Sequence, residues 1–485
     1  MERSGSLSGI SRRHLLKGGL SAFAAAAAPI YGARGADRES VPRWSVVETA
    51  RDNDHRLTSV ETPPVSKREP RAIHVTSDHV GPSILGFGGA LTESSAYVLA
   101  QLPKDKRQQV LRAYYDPKNG IGYTMARTHM TSCDFSLSSW SLDDVAGDTS
   151  LSKFSLAPMR ERHLSLIREA QKITGNDRFK LVASPWSPPA WMKTNGAMLH
   201  GGNLRDDARA AWADYYVRFV KAMRDEEKIP VWALTVQNEP DVSQPWESCR
   251  YTAIEESDFI ADFLGPALEK AKLGDTKLYG WDHNRNGIVE RAEALLGHSR
   301  SAKYLAGLAV HWYQEEDFGA ISRVVKQFPD KQILFTEGCV EGGPHVDEWA
   351  PAERYARNMI GDFNNGICGF IDWNIALDMQ GGPNHVGNFC HAPVLVDTAA
   401  GMVHMQPSFY YIAHFSKFVR AGARRVALRN DEKTLQKIAF ANPDGSRVLI
   451  VVNPTDDEQD ITLVIGGESR AARLPAHAIQ THIVA

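Results

Sequence analysis

From about residue 81 to residue 418, apolar positions fall in short runs, and stretches of helical periodicity separate the runs. That alternation is the signature of a parallel sheet joined by crossover helices. The runs predict eight strands, at Ile84–Gly88, Tyr123–Thr128, Lys180–Ser184, Val231–Val236, Lys277–Gly280, Leu308–His311, Gln332–Thr336 and Gly369–Asp372. Helices are predicted between them, among others at Lys104–Tyr115, Met159–Thr174, Asp206–Glu227, Glu255–Lys272 and Ala352–Asn365. Eight strand–helix units are what a (β/α)8 TIM barrel requires. The competing α/β arrangement is a doubly wound open sheet. It normally carries a glycine-rich nucleotide turn after its first strand, and Gly86-Phe87-Gly88-Gly89 lacks that spacing.

The pattern differs on either side of this region. Residues 37–80 are polar and Pro-rich, with short alternating segments at Trp44–Glu48 and Ile73–Thr76. Residues 419–485 read as short strands: Val426–Leu428, Gln436–Phe440, Arg447–Val452, Asp460–Ile465 and a closing His477–Val484. Asn442-Pro443-Asp444-Gly445 is a hairpin signal between two of these. The two flanks together predict a β-sandwich appended to the barrel at residues 81–418, its first strands supplied by the N-terminal segment. Ahead of it, Ser11-Arg12-Arg13-His14-Leu15-Leu16-Lys17 precedes a small and apolar run from Gly18 to Ile30. This is the form of a twin-arginine export signal over residues 1–36, with Ala33-Arg34-Gly35 as a small-x-small cleavage site. The apolar run is shorter than the roughly 20 residues that a membrane span takes. The expectation is therefore an exported chain, periplasmic or secreted, with no membrane segment after processing.

Composition narrows the function classes. The 485 residues carry a formal net charge of -3, so no phosphate-neutralising surface argues for nucleic acid. Five cysteines (Cys133, Cys249, Cys339, Cys368 and Cys390) show no zinc-ligand spacing and read as small buried hydrophobes. There is no HExxH, no GxGxxG opening a helix and no P-loop, so neither a cofactor nor a metal is expected.

The active site of a (β/α)8 barrel lies at the C-terminal ends of its strands. The residues that follow the predicted strands are Thr92-Glu93, His129 to Phe135, Pro185-Trp186-Ser187-Pro188, Gln237-Asn238-Glu239-Pro240, Trp281-Asp282-His283-Asn284, Trp312-Tyr313, Glu337-Gly338 and Trp373-Asn374. One mouth thus gathers two isolated glutamates, Asp134, several tryptophans and several amides. Two carboxylates among aromatics suit glycoside hydrolysis, which needs a protonated acid for the leaving oxygen and a carboxylate at the anomeric carbon. Aromatic burial and a negative partner can lift one glutamate toward neutrality. An Asn-Glu-Pro triplet alone is weak, since chance gives one in about twenty chains of this length. Ending the fourth strand, opposite a glutamate that ends the seventh, it is specific. Glu93 reads equally as a partner of its helix dipole, and His311 equally as a core histidine.

Three segments, Gly86-Phe87-Gly88-Gly89-Ala90-Leu91-Thr92-Glu93, Thr131-Ser132-Cys133-Asp134-Phe135-Ser136 and Ala183-Ser184-Pro185-Trp186-Ser187-Pro188-Pro189-Ala190-Trp191, resemble the glucosylceramidases of glycoside hydrolase family 30. So do Gln237-Asn238-Glu239-Pro240, His311-Trp312-Tyr313, Thr336-Glu337-Gly338-Cys339, Asp372-Trp373-Asn374, Gly387-Asn388-Phe389 and His414-Phe415-Ser416-Lys417-Phe418, in colinear order from about Ser83 to Phe418. The resemblance implies a retaining mechanism with Glu239 as acid/base and Glu337 as nucleophile. It implies that Asn238 binds the sugar 2-hydroxyl, that Asp134, Trp186 and Trp373 line the terminal-sugar pocket, and that Tyr313 bonds the nucleophile. His311 joins the substrate-binding set and Asn388 lies at the rim. The implied reaction is release of terminal β-linked glucose, as from glucosylceramide, with a β-glucoside or glycolipid as the partner. Endo-β-1,6-glucanase and β-xylosidase use the same machinery. The segment Trp281-Asp282-His283-Asn284-Arg285 departs from the animal enzymes and leaves the outer rim open. A non-catalytic glycan-binding barrel would lack one of the two glutamates. A Schiff-base aldolase needs a lysine at a strand end, whereas Lys193 lies in the loop beyond the third strand.

Overall fold

Side chains two apart on a strand share a face, and this rule builds the interior of the barrel. In the computed structural model, which describes residues 44–62, 72–297, 300–429 and 432–485, eight parallel strands close on themselves in sequence order. They are Gly86–Ala90, Met125–His129, Lys180–Ser184, Val231–Thr235, Lys277–Asn284, Gly307–His311, Gln332–Glu337 and Ile367–Asn374. Met125, Val182, Ala233, Tyr279, Ala309, Leu334 and Ile371 point inward as one apolar floor. Two residues further along the same strands, Arg127, Ser184, Thr235, His311 and Thr336 form a polar layer with no solvent exposure. The surrounding helices bury Leu111, Ile167, Phe219, Leu264, Val324 and Phe363 in the main core that covers the outside of the barrel. Each such side chain is worth about 1.5–3 kcal/mol of burial.

The structure departs from the sequence-based elements where a local feature overrides periodicity. The helix expected over Glu255–Lys272 divides into Ala253–Phe259, a wider turn at Ile260–Leu264, and Gly265–Lys270. Pro266 has no N–H for the helical ladder, and the wider turn absorbs the mismatch. The helix expected over Met159–Thr174 breaks at His163, whose ring turns inward to stack on His129 at 4.4 Å. The fifth strand runs four residues beyond Gly280, with a register shift between Trp281 and His283. A small sheet of Leu377–Asp378, Val394–Asp397 and Met402–Met405 is additional.

The flanks form one nine-stranded sheet in the order 468–474, 459–465, 72–83, 424–429, 436–441, 447–453, 478–484, 44–50, 58–60. It curls into a β-sandwich. The Arg470 guanidinium lies 5.8 Å from the Trp44 ring centroid, and Gln480 Nε2 donates to the Arg473 carbonyl at 2.8 Å. Trp44, Ile73, Leu449, Leu463 and Leu474 fill the space between the halves. The strand Glu468–Leu474 was not expected; it is an edge strand with a half-exposed polar pattern. His414, on the helix Pro407–Ser416 of the barrel, ties the first and last long strands of the sandwich together through the Thr49 and Thr481 hydroxyls at 3.0 and 2.8 Å. The expected export signal lies outside the described residues. Among the described residues, no helix is long and apolar enough to cross a membrane.

Candidate active site

Above the polar layer, the strand ends surround a cavity of about 270 Å³. Of the nine site residues expected from sequence, eight line it: Asp134, Trp186, Asn238, Glu239, Tyr313, Glu337, Trp373 and Asn388. His311 does not. It is fully buried behind Glu239 with both ring nitrogens engaged, Nδ1 at 3.3 Å from Glu239 Oε1 and Nε2 at 3.0 Å from Asp282 Oδ1. The structure places it against the two carboxylates, outside the cavity lining, where the expectation had put it on the substrate.

Glu239 lies in the loop just beyond the fourth strand and Glu337 ends the seventh, and 7% and 6% of their surfaces remain exposed, enough to meet a ligand. Glu239 adopts a left-handed backbone with φ 49°, and its N–H is held by the Asp282 carbonyl at 3.0 Å. Such a conformation costs a β-carbon-bearing residue about 1 kcal/mol or more. Gln244 Nε2 lies 3.3 Å from Glu239 Oε2. The Tyr313 hydroxyl donates to Glu337 Oε1 at 2.9 Å, and Arg127 Nη1 pairs with Glu337 Oε2.

Arg127 organises the layer below. Its Nη2 donates to Asn238 Oδ1 at 2.8 Å and to Asp282 Oδ2 at 2.9 Å, and its Nε to Ser184 Oγ at 3.0 Å. The Asn238 oxygen is thus engaged by Arg127 while the residue lines the cavity. Asp282, with no exposure, also accepts from the Thr235 and Thr336 hydroxyls at 2.5 and 2.6 Å. Burial penalises the Asp282 charge, but Arg127 and His311 hold its carboxyl well below the usual carboxylate range. Trp186 and Trp373 stack on each other at 5.3 Å and flank the guanidinium at 4.7 and 5.5 Å from their centroids. Part of their ring surface thus serves Arg127 instead of a ligand.

On the other side of the cavity, Asn388 Nδ2 donates to Asp134 Oδ2 at 2.8 Å. Burial, with the Glu337 charge behind it, pushes Asp134 up to about 8. Burial also lifts Glu337, with Glu239 adding and His311 and Arg127 opposing, and it stays above its ordinary range. For Glu239 burial is outweighed by the His311 hydrogen bond and the charges of His283 and His311, and it lies below its ordinary range. Burial disfavours charge on His311, yet Glu337, Asp282 and Glu239 raise it to about 9. The contact between Glu239 and His311 at 3.3 Å thus favours the carboxylate of one and the imidazolium of the other.

Several sequence neighbours lie elsewhere. Glu93 accepts from Trp140 Nε1 at 2.9 Å and pairs with Arg162 at 3.1 Å, at the start of its helix and away from the cavity. Lys193 is spent on the Ser187 hydroxyl and the Gly201 and Ser248 carbonyls. The strand-five segment divides. Asp282 and Arg285 are buried in ion pairs, with Arg127 and Asp362, while His283 and Asn284 line the cavity. Sequence reasoning missed the hub, Arg127 with Asp282, and the wall residues Gln244, Trp246 and Glu341. A lone arginine inside an apolar strand was the available signal, because a buried charge demands partners.

Two family models match the chain: the glycosyl hydrolase family 30 TIM-barrel domain over residues 84–419 and the glycosyl hydrolase family 30 beta sandwich domain over residues 422–482. The lysosomal acid glucosylceramidase of Mus musculus is 35% identical over 401 residues, 78% of this chain and 76% of that protein. An endo-1,6-beta-D-glucanase of Neurospora crassa is 30% identical over 399 residues, 79% of this chain and 81% of that protein. The crystal structure of SrfJ from Salmonella typhimurium superimposes with a TM-score of 0.85 at 34% identity, covering 91% of this chain and 99% of that one.

Proposed function

The chain belongs to glycosyl hydrolase family 30, and on that premise we propose that this O-glycosyl hydrolase is a retaining exo-β-glucosidase of the glucosylceramidase type. The observation that carries the reading is the pairing at Glu337. A guanidinium and a phenol both donate to this carboxylate and favour its anion against the burial that raises it, while Glu239 lies where it can take a proton from His311. In the first step that proton passes from Glu239 to the glycosidic oxygen as the bond to the aglycone breaks, and a Glu337 oxygen bonds to the anomeric carbon. Water then attacks that carbon and gives its proton to Glu239, and the ester opens to release β-glucose. His311 and Glu239 are one pair in two forms, imidazolium with carboxylate or imidazole with acid, so the ring returns the proton that each cycle needs.

Asp134 and Asn388 close the cavity beside Glu337 and offer an acceptor and a donor for the hydroxyls of a terminal sugar. Phe389, 42% exposed and next to Asn388, gives an apolar rim suited to a lipid or aryl aglycone. The similarity to the Neurospora glucanase favours a second reading, an endo-β-1,6-glucanase. Hydrolysis of glucosylceramide, galactosylceramide, a β-xyloside and a β-1,6-glucan in parallel separates the two. Glucose from glucosylceramide and aryl β-glucosides is expected; internal β-1,6 oligomers with no aryl glucosidase activity would favour the glucanase. On the exo reading, Asp134→Ala lowers kcat/KM by about 2 kcal/mol or more, through the loss of charge-assisted bonds.

A further inference from the structure

We infer that Glu239, His283 and His311 form a binding site for a divalent transition-metal ion of the zinc class, and that the ion turns the hydrolase off by occupying Glu239. The second half of this statement rests on Glu239 being the acid/base; the first half does not.

The three residues lie at or just beyond the ends of adjacent strands, the fourth, fifth and sixth, so folding assembles a ligand set that no sequence motif announces. The register shift between Trp281 and His283 is a bulge of the kind that re-aims side chains, and it turns His283 toward the cavity. One ligand atom from each residue lies within 4.8 Å of the other two, and all three residues are buried. His311 Nδ1 and His283 Nδ1 lie 3.3 and 3.7 Å from the same oxygen, Glu239 Oε1. Zinc bonds of about 2.0–2.2 Å in a tetrahedron put neighbouring donors roughly 3.4 Å apart. The two edges to Glu239 are close to that spacing, and the third, between the imidazole nitrogens, is no longer than 4.8 Å and closes by movement of the rings.

Two further observations point to a ligand. His283 is 5% exposed, and its Nδ1 has no hydrogen-bond partner among the described residues, which is costly for a buried polar atom. His311 turns its other nitrogen to Asp282 at 3.0 Å, and Asp282 is itself fixed by Arg127, Thr235 and Thr336. A carboxylate behind a histidine is the support that metal-binding histidines use, since it fixes the ring, and here the ion would take the place of the proton on the opposite nitrogen. The cavity reaches both Glu239 and His283, which leaves an open fourth position for water. Two imidazoles and one carboxylate favour Zn²⁺ and Cu²⁺ over Mg²⁺ and Ca²⁺.

The test uses the full chain, an aryl β-glucoside and ZnCl2. One zinc per chain is expected by calorimetry, with inhibition reversed by EDTA and no inhibition by equal MgCl2. His283→Gln and His283→Asn should each raise the zinc dissociation constant and the half-inhibitory concentration at least tenfold, each variant measured against its own activity. Cobalt(II) in the same site should give visible ligand-field bands that both variants lose. Zinc affinity unchanged in both variants overturns the site. So does a cobalt spectrum dominated by a thiolate charge-transfer band, which would put the ion on Cys339 or Cys390. Zinc that binds through His283 without inhibiting leaves the site standing and overturns the switch, together with the role of Glu239.

Discussion

A guanidinium with no access to solvent decides the electrostatics of this site. Arg127 places one cation among Glu337, Asp282 and Asn238, under the faces of Trp186 and Trp373. Removing one partner from such a buried cluster leaves an uncompensated charge, at a cost of about 3–5 kcal/mol. Arg127→Met should therefore lower urea-unfolding stability by that order and abolish turnover. Arg127→Lys should recover part of the stability but little activity, because an ammonium cannot reach the fork's separate acceptors. Asp134 supplies a second prediction. Its carboxyl is pushed up to about 8, so it is mostly protonated at pH 7. A neutral glucose-type inhibitor whose hydroxyls donate to Asp134 favours the anion and should release up to about one proton on binding at pH 7, and almost none at pH 9.5. Calorimetry in buffers of different ionisation enthalpy measures this, and Asp134→Asn should remove the release. Residues just beyond apolar runs, such as Glu239 and Glu337, were legible because strand ends are where a barrel keeps its chemistry. Arg127 and Asp282 were not, because their role depends on neighbours in other strands. His311 was legible as a strand-end histidine, but not in the direction it faces.

At the scale of elements, the barrel depends on close approach between strands. At Gly307 a Cβ would lie 1.7 Å from the Gln332 carbonyl oxygen, a backbone atom that cannot yield. Gly307→Ala should cost about 3 kcal/mol or more, or prevent folding. At Gly274 a Cβ would meet nothing among the described residues within 4 Å, so Gly274→Ala should stay within about 0.5 kcal/mol. Urea unfolding of the pair checks both. Elements written by periodicity alone were readable, such as the strand Lys180–Ser184 and the helix Lys104–Tyr115. Elements shaped by one residue were not: the break at His163, the wide turn before Pro266 and the bulge that carries the fifth strand to Asn284. The edge strand Glu468–Leu474 has no apolar alternation to read, because most of its side chains are only half-buried.

At the scale of the whole molecule, sandwich and barrel share side-chain ties. His477, at the start of the last strand, contacts Glu353 on the helix Ala350–Asn365 at 2.5 Å and Asp456 at 2.9 Å. Burial disfavours its charge, but the two carboxylates raise it above the ordinary histidine range. A raised folded-state value means that this stabilisation is present at low pH and is lost as pH rises through it. His477→Gln should therefore lower the melting temperature at pH 6 and have little effect at pH 9. The export proposal is checked separately, by whether Arg12→Lys with Arg13→Lys leaves the protein in the cytoplasm. The central claim is that Glu337 is the nucleophile of a retaining glucosidase, and one measurement addresses it directly. The protein is inactivated with a 2-deoxy-2-fluoro-β-glucoside bearing an activated leaving group, digested, and read by peptide mass spectrometry. The account predicts one fluoroglucosyl ester, on Glu337. A sugar on any other residue, or inactivation with no covalent adduct, would contradict it.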